Sequence, residues 1–344
     1  MKIIVDAMGG DNAPDQIVYG AIQANQDFGC DIILVGRGEA ILKAMDRQGY
    51  TDLPRGVEIV HADQVITMED NPSNAFREKK DSSLTVALNL LRDGVGDAMV
   101  SAGSTGALLS AATLITKRIK GIRRAALAPV IPTVDGEGAV LIDCGANVEC
   151  TAEYLLQFAF MGSYYAERVL HRPEPRVALL NNGAEEGKGP DFYQEAYELL
   201  KKASDAGRIH FIGNIEGTSA IRGEADVIVC DGFAGNILLK SMEGMGVFIV
   251  SSLKGIFLKS FFTKLAAMML KKHIAPLAKK LDSRETGGTP LLGISKPVIK
   301  AHGSSDAYAL RNAIRQAISC AEVALAEDIA EHINYMRLDL EEGA

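Results

Sequence analysis

The sequence predicts an α/β fold, an αβα sandwich on a mostly parallel sheet. Three observations predict it. Short aliphatic runs alternate with stretches of helical periodicity, the order of βαβ units joined by right-handed crossovers. The runs are continuously apolar, as strands covered on both faces are. Most of them end in a polar, glycine-rich turn, where open α/β sheets gather their ligands.

In chain order the strands are KIIVD (Lys2–Asp6), DIILVG (Asp31–Gly36), VEIVHA (Val57–Ala62), DAMVSA (Asp97–Ala102) and ALAPVI (Ala126–Ile131). They continue with AVLIDC (Ala139–Cys144), RVALLN (Arg176–Asn181), RIHFIG (Arg208–Gly213) and DVIVCD (Asp226–Asp231). The GG-TP-LLG segment after Thr286 reads as a shaped loop, followed by a strand into His302 and a long helix. Six strand-end turns, DAMGGDNAP, SAGSTGA, DCGANVE, NNGAEEGKGP, GNIEG and CDGFAGN, imply one shared cleft.

With 344 residues the chain suits one large core, and a single catalytic domain, 1–344, is expected. Apolar residues make up 47% and charged residues 23%, which is globular composition. A net charge of −8 argues against a nucleic-acid binder. The five cysteines, Cys30, Cys144, Cys150, Cys230 and Cys320, form no C-x-x-C pair, which suits a reducing compartment. The six histidines lie far apart, so no metal site is expected. Asp6 breaks the first apolar run too early for a signal peptide. No uncharged apolar stretch reaches about 18 residues, so a cytoplasmic protein is expected, with contact to a membrane surface left open.

Several motifs are weighed on spacing. DIILVGRGEAI carries Gly36 and Gly38, but Ile41 stands where a dinucleotide fold needs its third glycine. NNGAEEGKGP has one residue too few for a P-loop, and Gly189 follows Lys188 where Ser or Thr would hold Mg²⁺. Lys188 remains as a mobile point charge for an anion, or a solvated loop lysine. VSAGSTGALLSAA lacks the G-x-S-x-G spacing of a nucleophile elbow. Its small residues at a helix start instead suit an anion cradle of Ser101, Gly103, Ser104, Thr105 and Gly106, with the serine and threonine hydroxyls as added donors and Ser104 also an N-cap.

CDGFAGNILLK puts Asn236 and Lys240 on one helix face, and Asn147 holds a similar strand-end position. Cys144 and Cys230 lie beside acids and read as core cysteines. His302 is either a proton-transfer group or a satisfied structural histidine. The cleft would be lined by Asp6, Gly9, Gly10, Asp231, Gly232, Lys240, Gly303 and Ser304. Finally, Ser252–Leu281 holds seven lysines and no acid, with apolar residues three and four apart. An amphipathic hairpin over 240–284 is expected, whose Lys254, Phe257, Lys259, Phe261, Phe262 and Lys264 would meet an acidic protein or an anionic membrane. The bland alternative is a dimer-packing helix with snorkelling lysines.

Taken together and in order from Lys2 to about Leu325, VDAMGGDNAP, SAGSTGA, NNGAEEGKG, DGFAGNILLK, GGTPLLG and AHGSS resemble the bacterial acyl-acyl-carrier-protein:phosphate acyltransferases of phospholipid synthesis. The resemblance implies a fold like that of phosphate acetyltransferases and isocitrate/isopropylmalate dehydrogenases, with the helical hairpin protruding, and a homodimer. It implies transfer of a long-chain acyl group from acyl carrier protein to inorganic phosphate, giving acyl phosphate for a membrane glycerol-3-phosphate acyltransferase. It implies no nucleotide cofactor and no obligatory metal. Chemistry and position then suggest phosphate held by the Ser101–Gly106 turn with Lys188, and an oxyanion polarised by Asn236 with Asn147 or His302 nearby. A coenzyme A-dependent short-chain enzyme, a nicotinamide dehydrogenase on the related fold and a non-catalytic membrane scaffold are the competing expectations.

Overall fold

The computed structural model describes residues 1–280, 282 and 284–336, with only the backbone of 271 and 274–280. The predicted hairpin thus reaches outside the described residues at Leu281 and Ser283. The strands are β1 (Lys2–Asp6), β2 (Asp31–Gly36), β3 (Val57–His61), β4 (Ala98–Ser101), β5 (Ala126–Leu127), β6 (Val130–Ile131), β7 (Ala139–Ile142), β8 (Arg176–Leu180), β9 (His210–Ile215), β10 (Val227–Val229), β11 (Gly288–Leu292) and β12 (Val298–Ala301). The helices are α1 (Asp15–Phe28), α2 (Gly38–Arg47), α3 (Ala75–Glu78), α4 (Ser83–Arg92), α5 (Thr105–Ala112), α6 (Ala152–Arg168), α7 (Asp191–Asp205), α8 (Gly217–Arg222), α9 (Gly232–Leu258), α10 (Phe261–Lys280), α11 (Ala307–Glu322) and α12 (Leu325–Glu331).

The strands form two sheets. One runs β3-β2-β1-β4-β12-β11-β5 and the other β6-β7-β10-β8-β9. Pairing is parallel except at β11 with β12, β11 with β5, and β6 with β7. The continuous apolar strands are explained by their two faces. Ile3 and Val5 enter one core cluster with Ile17, Val18 and Leu310, while Ile4 enters the other with Leu84, Leu88 and Leu108. Helices α1 and α11 therefore cover one face of the first sheet, and α4 and α5 the other.

Two expectations are corrected. ALAPVI is not one strand: Pro129, which has no N–H to give a ladder, separates β5 in the first sheet from β6 in the second. The segment ties the sheets together, with Ala128 N donating to Pro290 O and Leu141 N to Pro129 O. GG-TP-LLG is not a loop but the strand β11, antiparallel to β12 and β5. Its Gly and Pro residues masked it; a Cβ at Gly288 would lie 2.5 Å from Ile299, so glycine lets the strand approach its neighbour.

The predicted hairpin is present as α9 and α10, which pack on each other. No uncharged apolar stretch reaches about 18 residues, but one helix among the described residues, α9, is by length and overall composition apolar enough to cross a membrane, and none of its most apolar stretch is buried. Only Gly232, Gly235 and Gly246 of α9 are buried.

Candidate active site

Parallel register sets the site. Asp6 of β1 is paired with Ser101 of β4, and Ser101 with Lys300 of β12. In a parallel ladder such partners point to one face. Three polar residues thus form a row at the carboxyl ends of three adjacent, otherwise apolar strands, and all are buried. Ser101 Oγ donates to Asp6 Oδ2 at 2.7 Å and accepts from Gly103 N at 3.1 Å. Burial raises the Asp6 carboxyl above its ordinary 3.8, against hydrogen bonds that lower it. The turns beyond the row lock together. Asp11 N donates to Gly303 O at 2.8 Å, and Asn12 Nδ2 to Ser304 O at 3.0 Å. Gly9 is required because a Cβ there would come within 2.5 Å of Asp6 Oδ2 and 2.8 Å of Gly103 N.

This revises the cradle. The Ser101 hydroxyl proton and the Gly103 N–H are both consumed inside the turn, so neither is a donor to a ligand. Ser104 is the N-cap of α5, its Oγ accepting from Ala107 N at 3.5 Å, which leaves its own proton to give. The backbone N–H groups of Thr105 and Gly106 have no partner among the described residues, and Thr105 is exposed. The donors that face outward are therefore Ser104, Thr105 and Gly106 at the positive end of α5.

The second sheet supplies the facing turns. Asp143, fully buried after β7, accepts from Leu127 N at 2.8 Å and Asn147 N at 2.6 Å. Asn147 Nδ2 donates to Ala125 O at 2.8 Å and to Asp143 Oδ2 at 3.1 Å. Both amide protons are committed, so Asn147 is a loop clamp and not an oxyanion donor. Asp231, expected in the pocket, is the cap of α9. Its Oδ1 accepts from Phe233 N and Ala234 N, and its Oδ2 from Tyr193 Oη at 2.7 Å. Gly232 and Gly235 let α9 start against β7; a Cβ at Gly235 would sit on the Asp143 carbonyl. Asn236, one turn on, is exposed beside Gly145 and makes no side-chain hydrogen bond among the described residues.

Lys240 is exposed and pairs with Glu243 at 2.7 Å, and its charge acts on both His302 and Lys300. Helix α9 of the second sheet thus faces the β12 turn of the first. His302 Nδ1 accepts from Ser304 N at 3.2 Å and lies 2.8 Å from Ser304 Oγ. Burial, then Lys240, holds His302 below its ordinary 6.5, so it is neutral at pH 7 with its proton on Nε2. Lys188 lies in its own loop after β8, 3.8 Å from Glu185, and no hydrogen bond or ion pair joins it to the Ser101–Gly106 turn among the described residues.

Cys144 and Cys230 are buried, with thiols pushed up by burial and neighbouring acids, as core cysteines are. Two residues of this region escaped the sequence reading, Asp143 and Lys300. The signal for Lys300 was a lone charge inside an apolar strand, VIKA.

Comparison with solved structures gives the fold first. The fold is similar to that of a phosphotransacetylase from Streptococcus pyogenes, with a TM-score of 0.61, 20% identity and 94% of each chain covered. The sequence then defines the family. The profile of the fatty acid synthesis protein family matches residues 1–327. A phosphate acyltransferase of Alkaliphilus oremlandii is 46% identical over 97% of this chain and 98% of its own length. One of Clostridioides difficile is 44% identical over 97% and 96%. The chain belongs to this family of acyltransferases.

Proposed function

We propose that the protein transfers a long-chain acyl group from acyl carrier protein to inorganic phosphate, forming acyl phosphate for phosphatidic acid synthesis. The observation that carries this reading is the open N-terminus of α5. Its Thr105 and Gly106 N–H groups and the Ser104 and Thr105 hydroxyls stand together where α5 begins, at the carboxyl end of β4. Such a group of donors fits a tetrahedral oxyanion.

Phosphate near neutral pH is already an anionic nucleophile, so no acyl-serine is needed. A phosphate oxygen attacks the thioester carbonyl carbon, the tetrahedral intermediate collapses, the C–S bond breaks and the carrier leaves as thiolate. The protein's task is alignment and oxyanion stabilisation. Asn236, with its amide unengaged among the described residues, is the group assigned to the oxyanion. Lys188 supplies a mobile positive charge from the facing sheet. His302, neutral and carrying its proton on Nε2, is the group assigned to donate a proton.

The chain acts as one catalytic domain, 1–344, with the hairpin inserted at 240–284, and as a homodimer in the cytoplasm. The hairpin docks the acidic carrier protein and rests on an anionic membrane near a glycerol-3-phosphate acyltransferase. Its tip supports this: Phe261 and Phe262 are 76% and 80% exposed, beside Lys259 and Lys264. Helix α9 is long enough to enter a bilayer, but Asp231 caps its start within the cleft and Lys254 interrupts its apolar end, which favours lying at the surface.

Incubation with palmitoyl-acyl carrier protein and phosphate, followed by hydroxylamine, should give palmitoyl hydroxamate in proportion to phosphate. Loss of thioester that ignores phosphate would refute the reading.

A further inference from the structure

Lys300 is the unexplained residue of the site. It lies on β12, which is flanked by β4 and β11 within the seven-stranded sheet. The side chain is buried, with the residue only 8% exposed. Burying a charge this way is costly unless it is paired. Yet Lys300 has no carboxylate within ion-pair distance among the described residues. Its ammonium reaches forward to the carbonyls of Ala102 and Ala301 alone. Ala102 is the residue that leads from β4 into the turn before α5. The charge is therefore carried to the base of the cradle and left there with two neutral partners.

We propose that Lys300 is the buried cation of the oxyanion pocket, neutralising the inorganic phosphate held by Ser104, Thr105 and Gly106. The proposal rests on the phosphate reading of that turn and adds to it the charge that the turn itself lacks. Lysine suits this task as a point charge on a phosphate oxygen. It also explains the row. Asp6 and Ser101 hold the β4–α5 turn by their own hydrogen bond, while the third member of the row meets the ligand. Lys300 is a direct ligand, and the Asp6–Ser101 pair is a positioning pair.

The groups facing Lys300 are Asp6 of β1, Asp11 of the turn after it, Lys240 of α9 and His302 of its own turn. Burial, and to a smaller extent Lys240, pushes its ammonium down to about 8, while Asp6 and Asp11 oppose the fall. Phosphate affinity should then weaken as pH rises past about 8, where phosphate is already the dianion and no longer changes.

The test uses the full-length protein and inorganic phosphate. Lys300→Met keeps the length and removes the charge. The expected result is a roughly 10- to 100-fold rise in the KM for phosphate. The melting temperature without phosphate should be unchanged or higher, since an unpaired buried charge is gone. Phosphate should also raise the wild-type melting temperature, and do so progressively less above pH 8. If Ser104→Ala/Thr105→Val raises the phosphate KM and Lys300→Met does not, the inference fails and the phosphate reading stands. If neither variant changes it, both fail. If Lys300→Met does not fold, the wild-type profile decides: phosphate stabilisation that stays flat from pH 7.5 to 9.5 would overturn the proposal.

Discussion

The Ser101 hydroxyl donates to the Asp6 carboxylate at 2.7 Å across the boundary between β1 and β4. The same oxygen accepts the Gly103 N–H, so one serine joins two strands to the turn before α5. Ser101→Ala removes a donor from a buried carboxylate and an acceptor from a buried amide. We expect a loss of about 1–3 kcal/mol in denaturant unfolding. An unchanged unfolding midpoint would show that the row does not hold the turn.

Asp6 gives this row a pH signature. Its folded pKa is raised by burial, so between the unfolded and folded values the native state binds the extra proton. That contribution is present below about pH 4 and lost as pH rises toward the folded value. Asp6→Asn keeps an acceptor for Ser101 and cannot titrate. The stability of the wild type relative to Asp6→Asn should therefore decline as pH rises from about 4 and level off once Asp6 is ionised. Urea titrations across this range measure it, and a relative stability that climbs with pH would contradict the assignment.

At the start of α5, Ser104 and Thr105 are expected to act on phosphate and not on the acyl group. Ser104→Ala with Thr105→Val should raise the phosphate KM by roughly 10-fold or more, because each hydrogen bond to an anion contributes about 1.5–3 kcal/mol. The Ser104 change also removes an N-cap, which costs about 0.5–2 kcal/mol of stability. Kinetics and melting are therefore measured on the same samples. A stable acyl-enzyme trapped on Ser104 would instead restore the covalent route.

Two asparagines that look alike in sequence should separate by experiment. Asn147 has both amide protons tied to Asp143 and Ala125, whereas Asn236 has none engaged among the described residues. Asn147→Ala is expected to lower stability by about 1–3 kcal/mol. Asn236→Ala should leave the melting temperature alone and lower kcat about 100-fold, the scale for losing one oxyanion donor. A normal kcat in Asn236→Ala would remove it from the chemistry.

These contrasts mark how far the sequence could be read. Strand–turn–helix order and the glycine-rich turns made the sheet and its ligand-binding edge legible, because burial on two faces writes itself as unbroken aliphatic runs. The second sheet was hidden because its junction is a proline inside an apolar run, ALAPVI. Strand β11 was hidden because glycine and proline are the marks of a loop, whereas here Gly288 permits close packing within a strand. Within the site, residue type located the turns but not the partners. Only register shows that Ser101 spends its proton on Asp6 and that Lys300 stands beside them. Asn147 and Asp231 carry the right groups in the right turns, yet both are consumed in holding the backbone.

The hairpin tip offers the sharpest test of the surface assignment. Phe261 and Phe262 are exposed, Phe257 is half-buried, and Lys254, Lys259 and Lys264 alternate with them in sequence. Soluble proteins seldom leave so contiguous an apolar surface open without a partner. Inserting each phenylalanine into a bilayer interface contributes on the order of 1.5–3 kcal/mol, and the lysines add attraction to anionic lipid that salt screens. Replacing Phe257, Phe261 and Phe262 by Glu should lower binding to phosphatidylglycerol vesicles at least roughly 1000-fold. Binding by the wild type should weaken with added salt, and hydrolysis-independent turnover of soluble acyl carrier protein thioester should persist in the variant. Turnover lost together with vesicle binding, at an unchanged melting temperature, would show that the tip docks the carrier protein as well as the membrane. Vesicle binding that ignores the substitutions would remove the tip from the membrane altogether.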